Sequence, residues 1–162
     1  LGHAAKLAEQ VLVQIWVDAD ATPQVIKEIL YRAADRAQIM TTLIANMPLR
    51  IPPSAFIKTV RVPKGFDVAD HYIVQHLEPG DLVITADIPL AAEVIKRAAH
   101  AIDPRGDLYS EDNVDERLAM RNLMQQLRST GENIGGPPPF GSSDRQRFAN
   151  QLDRFLTRNR QA

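Results

Sequence analysis

The sequence predicts a single α/β domain with a small, mostly parallel sheet covered by helices on both faces. Three observations predict it. Short apolar, β-branched runs alternate with segments of helical periodicity. Turn chemistry rich in Asp, Asn, Pro and Gly separates them. No internal repeat divides the chain, and 162 residues suffice for one domain with a proper core. Residues 11–162 are expected to form that domain. Residues 1–10 are set aside as a vector-derived or disordered N-terminus.

The first strand is expected at residues 11–17, where Trp16 reads as core, and it ends in Asp18-Ala19-Asp20. Thr22-Pro23 then opens a helix, with Thr as N-cap and Pro at the first helical position. Ile26, Ile29, Leu30, Ala33 and Ala37 form its inner stripe, opposite Lys27, Glu28, Arg32 and Asp35. Residues 41–45 read as a second strand, and residues 46–53, with three prolines, as a loop. Residues 57–62 alternate Ile57, Thr59 and Arg61 against Lys58, Val60 and Val62, which predicts a strand near a sheet edge. After Gly65, Asp67-Val68-Ala69-Asp70 reads as a capped helix start continued by Ile73, Val74 and Leu77. Pro79-Gly80 is a turn, residues 82–85, apolar up to Thr85, form a short strand, and Asp87 and Pro89 open the next helix, with Leu90, Val94, Ile95 and Ala98 inward. Residues 103–106 are a turn and residues 114–127 a helix. Residues 131–143, with three prolines and four glycines, read as an ordered loop or flexible linker. Ser142 or Ser143 caps a final helix carrying Phe148, Leu152 and Phe155.

Composition excludes several classes of function. The formal net charge is −1, so no strong global field draws the chain to nucleic acid or membrane, which speaks against a dedicated DNA-coating protein. An enzyme with a local basic patch remains compatible. Cysteine is absent, which removes disulfides, thiolate metal sites and cysteine nucleophiles together. No apolar run is long enough to span a bilayer, and no basic start followed by an apolar stretch marks a secretory signal. The expected location is the cytoplasm, with no membrane partner.

Ligands of parallel sheets bind beyond the carboxyl ends of strands, where strand order reverses. The aspartates fall there. Asp18 and Asp20 follow the first strand, Asp87 follows the strand at 82–85, and Asp67 and Asp70 open the helix between. Carboxylates brought close repel unless a cation or a shared proton intervenes. Mg²⁺ and Mn²⁺ take oxygen ligands, and such ions support phosphodiester cleavage. Each aspartate also has a structural explanation, since Asp is a favoured N-cap and Asp67 and Asp87 stand at cap positions. Asp18 is the hardest to explain as a cap.

Ile15-Trp16-Val17-Asp18-Ala19-Asp20-Ala21-Thr22-Pro23, Gly65-Phe66-Asp67-Val68-Ala69-Asp70 and Ile84-Thr85-Ala86-Asp87-Ile88-Pro89-Leu90-Ala91 resemble the signature blocks of the uncharacterised YaiI/YqxD family. Pro104-Arg105-Gly106, Glu116-Arg117-Leu118 and Gly135-Gly136-Pro137 extend the resemblance to about Phe155. That family is similar to PIN-like domains, which implies a three-layer fold and acidic residues that bind divalent metal and cleave RNA. The resemblance implies Asp18, Asp67 and Asp87 as catalytic metal ligands, Asp20 and Asp70 as further ligands, and Mg²⁺ or Mn²⁺ as cofactor. It makes the chain a metal-dependent nuclease, a hydrolase of RNA or other nucleic acid. One departure is Thr22, where the family usually has Cys.

Thr22, Asn46, Arg50, Lys64 and Thr85 are the candidates for contact with substrate or phosphate. Arg50 belongs to an acid-free basic stretch with Lys58, Arg61 and Lys64 that follows a strand end at Asn46. The arginines of the final helix, set among Asp144 and Asp153, read as a solvated face. The four histidines show no metal-ligand spacing and read as surface residues. Two alternatives stand beside the nuclease. Asp18-x-Asp20-x-Thr22 matches the first motif of haloacid-dehalogenase-like phosphatases, in which Asp18 would be the nucleophile. A non-catalytic metal- or phosphate-binding module is the other.

Overall fold

The computed structural model describes residues 13–133, 135–136 and 138–159. The segment set aside at residues 1–10 lies outside the described residues. The elements run β1 (Ile15–Asp18), α1 (Gln24–Ala37), β2 (Thr41–Ala45), β3 (Ile57–Arg61), α2 (Val68–His76), β4 (Leu82–Ile84), α3 (Ile88–Lys96), β5 (His100–Ile102), α4 (Glu111–Ser129) and α5 (Ser142–Arg158). A 3-10 turn, Ala19–Ala21, follows β1.

The sheet order is β3-β2-β1-β4-β5, and every pairing is parallel. The chain steps from β1 through β2 to β3 on one side, then crosses back to β4 and β5 on the other. Strand order therefore reverses between β1 and β4, the position where a parallel sheet leaves a crevice. Side chains alternate across this sheet. Ile15, Val17 and Ile84 face one layer, where they meet Ile26 and Leu30 of α1 and Phe148, Leu152 and Phe155 of α5. Trp16, Ile44 and Val83 face the other, against Ile73 of α2, Leu90 and Val94 of α3 and Val114 of α4. The result is the three-layer α/β architecture expected of a PIN-like domain. Among the described residues, no helix is long and apolar enough to cross a membrane.

Asp81 ties the amino edge of the sheet together. It is buried, and its carboxylate accepts from the Gln14 amide at 3.0 Å, the Trp16 indole at 2.9 Å and the Glu78 amide at 3.0 Å. Three donors satisfy a charge that burial would otherwise make costly.

Several boundaries differ from expectation for identifiable reasons. Thr22 does not cap α1. Its hydroxyl donates to the Asp18 carbonyl at 2.8 Å, and Pro23 occupies the N-cap position. The last helix is capped at Gly141 rather than Ser142 or Ser143, and Asp144 accepts from the Gly141 amide at 3.0 Å. Helix α4 starts earlier than residue 114, because Ser110 and Asn113 form a reciprocal capping box. Strand β5 was not expected. Its three residues follow α3 closely: the helix ends at Lys96, and Ala98 turns the chain toward β5 with a left-handed φ of 62°.

Gly106 sets how closely the turn after β5 meets α5. Its φ is +96°, and a Cβ there would stand 2.6 Å from the backbone of Arg147 and Phe148. Gly106→Ala should therefore cost roughly 2–4 kcal/mol through strain and separation of α5. Urea denaturation measures this, and a loss under about 0.5 kcal/mol, the range of an ordinary surface substitution, would contradict the packing.

Candidate metal centre

The acidic site is built on the switch point. Asp67, Asp70 and Asp87 bring one carboxylate oxygen each within 4.8 Å of one another. Asp67 occupies the N-cap position of α2 with φ 60° and ψ 12° and makes no side-chain cap bond. Asp is one of the few residues that tolerates this left-handed conformation, and its carboxylate is left exposed. Asp70 lies three residues on, on the same face of the helix. Asp87 caps α3, where one of its oxygens accepts from the Leu90 amide at 2.9 Å.

Asp18 lies beneath them at the end of β1 and is almost fully buried. Its Oδ2 accepts from the Thr85 hydroxyl at 3.1 Å, and Thr85 Oγ1 accepts from the Asp87 amide at 3.0 Å. Thr85 thus fixes the ends of β1 and β4 relative to each other. Burial pushes the Asp18 carboxyl above its ordinary range. The Thr85 bond partly offsets this, and the charges of Asp87 and Asp20 add to it. Asp70 is pushed up to about 7, first by burial, then by the charges of Asp87 and Asp18, a hydrogen bond with Asp87 and the charge of Asp67. A proton on Asp70 relieves the repulsion among these carboxylates.

The other candidates are distributed unevenly. Asp20 is exposed and turned away, accepting from the Asn46 amide at 2.8 Å. It fastens the loop after β2 instead of joining the triad. Thr22 and Thr85 are buried, and the hydrogen bonds of their hydroxyls stay within the protein. Lys64 and Asn46 line one groove together with Arg61. Arg50 lies in a different one, along α1 with Gln24, Glu28 and Tyr31, so it is not brought to the acidic cluster. The phosphatase-like motif does not converge. Asp18 points to Thr85, Asp20 to Asn46, and Thr22 back to the main chain.

The cleft over the triad has a volume of about 370 Å³ and is also lined by Phe66, His71 and Arg121. His71 is exposed at this rim. Phe66 stands in one of the signature blocks without being singled out there, and Arg121 carries no sequence signal of its own. Asp103 was missed with β5. It is buried and accepts from the Arg105 amide at 2.6 Å and the Tyr109 hydroxyl at 3.3 Å, with Arg117 at 3.8 Å.

With three acidic blocks assembled at one sheet edge, likeness to known sequences becomes informative. The model of a family described as "Uncharacterized BCR, YaiI/YqxD family" matches residues 16–158. This chain belongs to the YaiI/YqxD family. It is 60% identical over 146 residues to a "UPF0178 protein" of Hahella chejuensis, covering 90% of this chain and 97% of the relative. A "UPF0178 protein" of Dechloromonas aromatica is 62% identical over 146 residues, with the same coverage of 90% and 97%. One of Photobacterium profundum is 59% identical over 147 residues, covering 91% and 98%. No solved structure matches.

The electrostatics of this YaiI/YqxD-family site set a pH dependence. Asp70 keeps its proton to about pH 7 in the fold but would release it near its ordinary 3.8 when unfolded. Between those values the native state binds more protons than the unfolded one, so metal-free stability falls as pH rises from about 4 to about 7 and then flattens. Asp70 is only half-buried, so solvent screening holds the effect to roughly 1–2 kcal/mol. In chelator, stability lost between about pH 5 and about pH 8 should be larger by that amount in the wild type than in Asp70→Asn. Identical pH profiles in urea denaturation would contradict the coupled acid cluster.

Proposed function

We propose that this chain is a divalent-metal-dependent phosphodiesterase that cleaves nucleic acid, with RNA the preferred substrate. The observation that carries the proposal is the convergence of Asp67, Asp70 and Asp87 within 4.8 Å at the switch point of a parallel sheet. The donor set consists of carboxylate oxygens alone, which suits Mg²⁺ or Mn²⁺ and disfavours softer metals. When bound, such an ion would neutralise phosphoryl oxygens and acidify a water.

The chain's own residues account for the rest. Asp67 and Asp70 present oxygens from one helix turn, and Asp87 presents one from the facing helix start. Asp18, held by Thr85, adds a further carboxyl group beneath the triad. Asp70 must give up its proton for the metal, so affinity should rise with pH through the neutral range. Lys64, Arg61 and Asn46, at the neighbouring strand ends, are placed to hold a polyanion. Asp20 contributes by fixing the Asn46 loop. Arg50, in its separate groove, is not part of this assembly.

Metal binding is the first test. At an Mn²⁺ concentration of ~100 times Kd, the native state should gain about 2.7 kcal/mol, a melting shift of roughly 5–10 °C for this size. Asp67→Asn is the diagnostic variant. It breaks no cap bond, and Asn tolerates the left-handed conformation, so metal-free stability should stay within about 0.5 kcal/mol of wild type while most of the Mn²⁺ shift disappears. A flat titration of the wild type, or a full shift in Asp67→Asn, would contradict the site.

A further inference from the structure

Phe66 is 93% exposed, more than any other large apolar side chain among the described residues. Single exposed apolar residues are common and need no explanation alone. The surroundings of this one set it apart. It lines the same cleft as Asp67, Asp70 and Asp87. The segment leading to it carries Arg61 and Lys64, both exposed. Neither has a carboxylate within ion-pair distance among the described residues. These two cations line the groove at Asn46, and only Gly65 separates Lys64 from Phe66.

The backbone holds the ring outward. Asp67 is left-handed, and a Cβ on Gly65 would approach Val68 to 3.1 Å, so the turn is tight. Free cations, an exposed ring and a carboxylate cluster follow one another along this rim. A nucleic-acid strand has the complementary order, with a phosphate, a base face and a further phosphate that a metal can hold. Aromatic rings stack on any base whose face is uncovered. In a duplex, neighbouring base pairs cover those faces.

We infer that Phe66 is a stacking platform for an unpaired base beside the phosphate held at the metal centre, and that it selects single-stranded over duplex nucleic acid. The inference rests on the nucleic-acid reading proposed above and adds the specificity-determining residue to it. Arg121, the one Lys or Arg side chain among the described residues that lines the same cleft, offers a cation to a neighbouring phosphate.

The test uses the whole chain, a short oligoadenylate and a hairpin duplex. Binding is measured with Ca²⁺, which takes oxygen ligands of the same kind, and cleavage separately with Mn²⁺. Phe66→Ala should weaken binding of the single strand roughly ten-fold, the loss of one stacked base. Phe66→Trp should keep it. Neither change should alter duplex binding or the melting temperature, because the side chain packs against nothing. Wild-type affinity in Phe66→Ala would overturn the inference. So would equal weakening for strand and hairpin, or a wild type that binds no single strand. If strand binding depends on Phe66 but Mn²⁺ supports no cleavage, the platform stands and the phosphodiesterase fails. If cleavage in Phe66→Ala keeps the wild-type KM and kcat, the platform fails and the phosphodiesterase stands.

Discussion

Like charges repel most where water cannot screen them, and this fold gathers several carboxylates at one half-buried point. Asp18 is fixed by the end of β1, Asp87 by the cap of α3, and Asp67 and Asp70 by the first turn of α2. Hydrogen bonds hold the side chains of Asp18 and Asp87 in place, and the backbone of the first turn of α2 sets the positions of Asp67 and Asp70. The hydrogen bonds from the Asp87 amide to Thr85 and from Thr85 to Asp18 hold the two central strand ends in register. The raised proton affinity of Asp70 is the cost of that arrangement in the metal-free protein. A cation of suitable size relieves both the repulsion and the need for the proton. The rest of the site follows from this constraint.

Much of the fold was legible because its strands are short apolar runs separated by helices of clear period. Residues 41–45 match β2, and the alternation at residues 57–62 marked the sheet edge where β3 lies. Strand β5 was hidden because Ala99, His100 and Ala101 continue the alanine-rich character of α3, and three residues show no period. The early start of α4 was hidden because the capping partner is Asn113 instead of the usual Glu or Gln. Thr22 had the chemistry of a cap, yet its hydroxyl found a closer acceptor in the carbonyl of Asp18.

The acidic site was legible as residues but less so as geometry. Spacing placed Asp67, Asp70 and Asp87 near strand ends, and the fold brings those three together. The same spacing set Asp20 beside Asp18, but the 3-10 turn after β1 directs it to the Asn46 loop. Arg50 followed the correct strand end, yet the crossover from β2 to β3 carries it over α1. Linear distance did not anticipate that separation, because it depends on which face the loop crosses. Phe66 carried no pattern either, since its significance lies in its exposure and its neighbours.

The central claim is that the three carboxylates form one cation site. The most direct measurement is anomalous scattering from a crystal of the chain soaked in Mn²⁺ near neutral pH. The account predicts a peak at metal–oxygen distance, roughly 2.0–2.3 Å, from carboxylate oxygens of Asp67, Asp70 and Asp87, above Asp18. A well-ordered triad with no peak, or an ion bound only elsewhere on the surface, would contradict it.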